Sequence, residues 1–363
     1  MKILILTDSF NYCCGRSRHI VTLAKSLQDA GHYVFVVFGG GDGSGMLESL
    51  KIPYEVISEV LHSKRSYLNF IRGIIKIYKI QKEKNFDIIH AHHHYASNIA
   101  RLAVHFLKVP LIMTIHGSVK GMGILPVYAG DYYIAVSDET KKFAIKENQT
   151  IKNRIISIPN GVEIDYNNYE FDEKKIKADL GFDNTSIVIS IIGRIVYHKG
   201  HKILLDAISK LKTNITCLIV GGGDYEEAVR NEAAKKKFKS VFTGKVKDTS
   251  DYFKISDIVV IPSLCCEGLP ITLLEAGKFE KPVIASSIDG IKNIITNKQN
   301  GILISPDSTD ELFDALKELV VSKDLREKLG KNLHKTVETS FTKEIMTSNT
   351  LKVYEKIINR EII

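Results

Sequence analysis

The chain has 363 residues, 44% hydrophobic and 25% charged, with a formal net charge of +8. This length exceeds the usual single core and predicts two domains, while the composition excludes a disordered chain. There is no run of about 18 apolar residues to span a bilayer. The apolar Met1–Leu6 meets Asp8 at once, with no small-residue cleavage site, and reads as a buried first strand and not as a leader.

Apolar, β-branched runs recur along the chain, each followed by a loop and then a helical pattern. The first half offers Ile3–Leu6, Val34–Phe38, Phe86–His90, Leu111–Ile115, Tyr132–Val136 and Ile155–Ile158. The second offers Ile187–Ile192, Thr216–Val220, Val241–Thr243, Ile258–Ile261, Val283–Ala285 and Ile302–Ile304. Continuous apolar strands alternating with helices predict parallel sheets covered on both faces. The polar stretch Asp165–Asp179 separates the two sets and is the expected linker. Domains are accordingly expected at 1–166 and 167–342, with a last helix at about 343–363 packing back on the first.

Between the second and third runs, Tyr67–Lys82 has an apolar face (Leu68, Ile71, Ile75, Tyr78) and a basic one (Arg72, Lys76, Lys79, Lys82). Such a helix could rest on an anionic membrane. The preferred reading is that it packs on the sheet and shows its lysines to water. The run His90-Ala91-His92-His93-His94 would put His92 and His94 on one side of a strand. No third convergent ligand is visible, so no metal site is expected there, and both histidines are candidates for an acceptor cleft.

The cysteines form two adjacent pairs, Cys13-Cys14 and Cys265-Cys266, plus Cys217. That is neither a metal spacing nor a disulfide framework, and it predicts reduced thiols in a cytoplasmic protein. The positive charges are scattered and no nucleic-acid reading motif occurs, so no nucleic-acid partner is expected.

In parallel sheets ligands bind beyond the carboxyl ends of the strands, so chemistry is sought in the loops that follow them. Those loops carry Gly15 after the first strand, His116-Gly117 after the fourth run, and Gly193-Arg194 with His198-Lys199-Gly200 after Ile187–Ile192. After Ile258–Ile261 comes Glu267-Gly268-Leu269-Pro270, then Thr272, Leu273 and Glu275. Pro270 predicts a helix start, whose amides around Ile271 to Leu273 would take a diphosphate. Glu267 and Glu275 flank that start and suit sugar and ribose hydroxyls.

The segment from Glu267 to Glu275 resembles the E-x7-E motif of retaining GT-B glycosyltransferases. From Met1 to about Phe341 the chain resembles glycosyltransferase family 4. That resemblance implies an α/β GT-B fold, two Rossmann-like doubly wound domains facing a central cleft. Arg194 and Lys199 match the family's donor-phosphate pair, and His116 its strand-end histidine near the transferred sugar. Val246 matches the loop whose backbone meets the base, and Ser137 another cleft-facing strand end. Ile158-Pro159-Asn160-Gly161-Val162-Glu163 matches the crossover segment and is read as architectural. Two departures stand out: Cys14 replaces the first of the paired glycines that precede the first helix, and Asn293 replaces a loop acid.

The implied activity is retaining transfer of a hexosyl or N-acetylhexosaminyl group from a nucleotide-diphosphate sugar, UDP favoured, to a hydroxyl. Catalysis would fall to His116, Glu267, Arg194 and Lys199, with no cofactor and no metal. The acceptor is a glycan, a lipid-linked or a small molecule, and the setting cytoplasmic, with peripheral contact to an anionic membrane face as an option. The alternatives are an epimerase or hydrolase of sugar nucleotides on the same fold, and a non-catalytic nucleotide-sugar-binding subunit.

Overall fold

The structure is a computed structural model that describes residues 1–105, 107–118, 126–164, 171–183, 185–359 and 361. It divides into two compact units: Met1–Gly161 with Lys343–Ile363, and Val162–Thr342.

The first unit holds strands β1 (Lys2–Thr7), β2 (Tyr33–Phe38), β3 (Tyr54–Val56), β4 (Ile88–Ala91), β5 (Leu111–Ile115), β6 (Tyr132–Ala135) and β7 (Ile155–Ser157). They pair in the order β3-β2-β1-β4-β5-β6-β7, and each pairing is parallel. Burial explains the unbroken apolar runs. Ile3 and Ile5 pack with Ile20, Leu23, Val353 and Tyr354 on one face, whereas Leu4 and Leu6 pack with Ile77, Ile80 and Ile99 on the other. With helices on both faces, a strand has no wet side on which polar residues would alternate. The C-terminal helix Lys343–Ile358 thus belongs to the first core. Its Tyr354 hydroxyl meets His90 Nδ1 at 2.6 Å, and His90 Nε2 meets Thr114 Oγ1 at 2.7 Å.

The second unit holds β8 (Ile187–Ile192), β9 (Ile215–Val220), β10 (Lys239–Gly244), β11 (Ile258–Ile261), β12 (Val283–Ser286) and β13 (Ile302–Ile304). Their order is β10-β9-β8-β11-β12-β13, again with parallel pairings. In both sheets the first strand lies between its successor in the chain and a later strand. The strand order therefore reverses at β1/β4 and at β8/β11, which marks the crevice where such sheets take ligands.

The chain leaves the first unit after Gly161, whose amide lies 3.2 Å from Met346 Sδ. In the second unit Val162 pairs with Thr342 in a parallel bridge, its amide bonded to the Phe341 carbonyl at 2.9 Å. Of the expected linker, residues 165–170 lie outside the described residues, and Glu173–Asp179 is not irregular but a helix capped by Asp172. The short polar sequence hides it because none of its residues is buried.

The helix Tyr67–Lys84 corrects a second expectation. Ser66 caps it and Asn85 ends it in the left-handed region. It packs on the sheet through Phe70, Ile74, Ile77 and Ile80. Leu68, Ile71, Ile75 and Tyr78, the stripe expected to be packed, face solvent together with Tyr67.

No helix among the described residues is long and apolar enough to cross a membrane. The five cysteines are free thiols.

Candidate active site

In the second unit, the loops beyond β8, β9, β10 and β11 are tied together by backbone hydrogen bonds. Gly193 donates to Val220, Gly221 to Gly244, Ile195 to Gly222 and Leu264 to His198, at 2.8–3.1 Å. Glycine is required where these turns close. Gly200 has φ +72, and a Cβ there would lie 1.9 Å from the Pro262 carbonyl oxygen. Gly221 has φ +132 and would meet the Gly193 carbonyl oxygen at 1.9 Å. The β8 and β11 loops thus approach to backbone contact at the point where strand order reverses.

Lys199 ends a short 3-10 turn after β8 and places its ammonium on Glu267 Oε1. Ser263 donates its hydroxyl to the same oxygen at 2.6 Å. Glu267 is buried, which favours its neutral form. The charge and hydrogen bond of Lys199 and the Ser263 hydroxyl outweigh that burial and hold its carboxyl below the ordinary 4.5. Cys266, immediately before it, sits at φ +67, a left-handed conformation rare for a residue other than glycine. Arg194 stands exposed directly after Gly193, and its guanidinium makes no hydrogen bond or ion pair among the described residues. Of the two cations read as a phosphate pair, only Arg194 is therefore uncommitted in this structure, because Lys199 already neutralises Glu267.

The helix after β11 is Ile271–Lys278, one residue later than its proline suggested, with Pro270 in the capping position. Its Leu273 amide turns back to the Pro270 carbonyl at 3.1 Å. The anion-facing amides are thus reduced to those of Ile271 and Thr272. Thr272 donates its hydroxyl to the Ile192 carbonyl at 3.2 Å, fastening the helix start to the end of β8. Gly268 and Leu269 are buried beneath this start, and Glu275 is half-buried on the helix. Val246 is half-buried in the loop after β10.

In the first unit, Gly15 is the first residue of the helix Gly15–Asp29, with Cys14 in the capping position. Space beside Gly15 is open, since a Cβ would meet no atom within 4 Å. Arg16 bonds Asp8 at 2.5 Å and Ser9 at 2.9 Å. Ser137 is buried, and its oxygen caps the helix Asp138–Glu147 by accepting from the Thr140 amide at 3.1 Å.

His92 and His94 do not share one side of a strand. β4 ends at Ala91, His93 is the N-cap and His94 opens the helix His94–Ala103. His90 and His92 are buried. His92 instead turns to His116, its Nδ1 3.0 Å from His116 Nε2. His19 completes a three-histidine group that was not visible in the sequence. Burial lowers the pKa of His19 to about 4, with an Asn160 contact opposing, and holds His92 and His116 well below 6.5.

Two family models match the chain: Glycosyltransferase Family 4 over residues 15–166 and Glycosyl transferases group 1 over 172–336. A UDP-Gal:alpha-D-GlcNAc-diphosphoundecaprenol alpha-1,3-galactosyltransferase of Escherichia coli is 28% identical, covering 75% of this chain and 79% of its own. A phosphatidyl-myo-inositol mannosyltransferase of Mycolicibacterium smegmatis is 25% identical over 98% and 93%. Among solved structures, Anabaena HepE in complex with UDP-glucose superposes with a TM-score of 0.85 at 21% identity, over 98% of this chain and 100% of that one. The chain belongs to the GT-B glycosyltransferases of family 4.

Proposed function

We propose that this glycosyltransferase moves a hexosyl or N-acetylhexosaminyl group, with retention, from a UDP-sugar to a hydroxyl acceptor carried at an anionic membrane surface. The observation that carries the donor half is the convergence of Arg194, Lys199, Glu267 and the helix start at Ile271 on the β8/β11 reversal. The diphosphate meets the Ile271 and Thr272 amides and the Arg194 guanidinium, which act in place of a metal cation. The sugar hydroxyls displace Lys199 in part from Glu267, and Glu275 takes the ribose. His116 keeps the role on the transferred sugar that the family resemblance gives it.

No step needs a protein nucleophile. The bond from the anomeric carbon to the β-phosphate oxygen breaks with its electrons going to the phosphate. The acceptor oxygen bonds that carbon on the same face, and its proton passes to the departing phosphate oxygen. Relatives named for UDP-galactose and for lipid-linked acceptors support the choice of donor and acceptor class.

The membrane half rests on the helix Tyr67–Lys84. Its exposed stripe of Tyr67, Leu68, Ile71, Ile75 and Tyr78 runs beside exposed Arg72, Lys79 and Lys82, the pattern of a helix lying in a headgroup layer.

The test is incubation with a panel of UDP-hexoses and a membrane lipid extract, with the product anomer read by NMR. Acceptor-dependent UDP release with a retained anomer is expected. Sugar nucleotide consumed without acceptor would point to the hydrolase or epimerase alternative, and a trapped glycosyl-enzyme would overturn same-face substitution.

A further inference from the structure

His19, His92 and His116 come from three places in the chain: the helix after β1, the residue following β4 and the residue following β5. The β1/β4 strand-order reversal brings them together. Their ring centroids are 4.9–5.3 Å apart, and one ring nitrogen from each lies within 4.8 Å of the other two. His92 Nε2 is buried without a hydrogen-bond partner, and neither His19 ring nitrogen makes a hydrogen bond of good geometry. A buried ring nitrogen left unpaired costs stability unless something occupies its lone pair.

We propose that His19, His92 and His116 bind one borderline transition-metal dication, Zn²⁺ by its chemistry, at the carboxyl ends of β1, β4 and β5. Three imidazoles match the protein ligands of a four-coordinate zinc site whose fourth ligand comes from outside the group. Metal–nitrogen bonds of about 2.1 Å would put the nitrogens about 3.4 Å apart, which small rotations of the three rings reach. Three imidazoles and no carboxylate exclude Mg²⁺ and Ca²⁺, which take oxygen ligands. Arg16, paired with Asp8, adds positive charge nearby, so the fourth ligand is an anion or hydroxide.

Neighbouring histidines do not compete. His90 stacks on His92 at 4.3 Å, but Tyr354 and Thr114 take both its nitrogens. His62, His93 and His94 form a separate ring cluster. The binding claim goes beyond the proposed transfer reaction. One consequence rests on that reading: an ion held by His116 denies this ring to the sugar, so Zn²⁺ inhibits transfer.

The test uses the full chain without a histidine tag, stripped by chelator and titrated with Co²⁺ and then Zn²⁺. One ion per chain is expected, with the visible bands of tetrahedral Co²⁺ and displacement by Zn²⁺. His19→Gln and His92→Gln should each weaken uptake about tenfold or more, since even outer-shell partners carry that much; His62→Ala should not. Should either glutamine variant fail to fold, carbethoxylation of the wild-type chain serves instead. One equivalent of Zn²⁺ is then expected to protect His116 and not the exposed His105. Absence of saturable uptake by the folded chain, uptake undiminished in both glutamine variants, or no protection of His116 would overturn the proposal. UDP binding, measured on the same samples, reports on the second unit alone and separates this failure from a failure of the transfer reading.

Discussion

Lys199 Nζ rests on Glu267 Oε1, joining residues 68 positions apart on the loops after β8 and β11. A buried carboxylate is held ionised in this way beside the amides of a helix start. It can accept hydrogen bonds from hydroxyls without needing a proton removed.

The pair sets a pH-dependent stability. Because the Glu267 carboxyl is held below 4.5 in the folded state, it adds stability above that pH, and the stability is lost as pH falls through the folded value. In Lys199→Met burial dominates and the carboxyl is raised instead. The variant should lose roughly 3 kcal/mol near neutral pH, and the difference should shrink as pH falls and vanish once pH passes below the lowered carboxyl value of the wild type. Urea unfolding at several pH values checks this; a pH-independent loss would contradict it.

Two glycines separate backbone need from ligand approach. Gly200→Ala places a Cβ on the Pro262 carbonyl at positive φ and should cost at least about 2 kcal/mol while weakening nucleotide binding. Gly15→Ala meets open space in a helix and should change stability by less than about 0.5 kcal/mol. A fall in transfer rate for Gly15→Ala at unchanged Tm would then assign it to ligand approach, whereas full activity would remove it from the site.

Tyr354→Phe strips the fully buried His90 of its partner on Nδ1. The expected loss is about 1–2 kcal/mol in chemical denaturation. No loss would mean that apolar packing alone docks the C-terminal helix.

The double variant Ile71→Glu, Ile75→Glu changes exposed positions only. Its Tm should match the wild type, while binding to vesicles containing anionic lipid should fall by more than tenfold. Equal vesicle binding would remove the membrane half of the proposal.

Much of the architecture was legible because strands covered on both faces must be apolar throughout. β3 escaped notice since Tyr54-Glu55-Val56 is a three-residue edge strand with Glu55 and Val56 exposed. For the helix Tyr67–Lys84 the sequence pattern points to the wrong face, because apolar residues occupy most of its circumference. Ile74 and Ile77 pack while Ile71 and Ile75 do not, and periodicity alone could not choose. The Glu267–Lys199 pair and the His19–His92–His116 group depend on strand order. Their members are far apart in the chain, and no local signal announces the convergence. The one local signal at Glu267 is Ser263, four residues before it and within reach of its carboxylate.

The central claim is that the second unit holds a nucleoside-diphosphate sugar at the β8/β11 reversal. Calorimetric titration of UDP into the wild-type chain, Arg194→Ala and Glu275→Ala tests it most directly. The account predicts saturable binding at one site, weakened about 10- to 100-fold in each variant, since a hydrogen bond to a charged group contributes about 1.5–3 kcal/mol. UDP binding of equal strength in all three, or none by the folded wild-type chain, would contradict it.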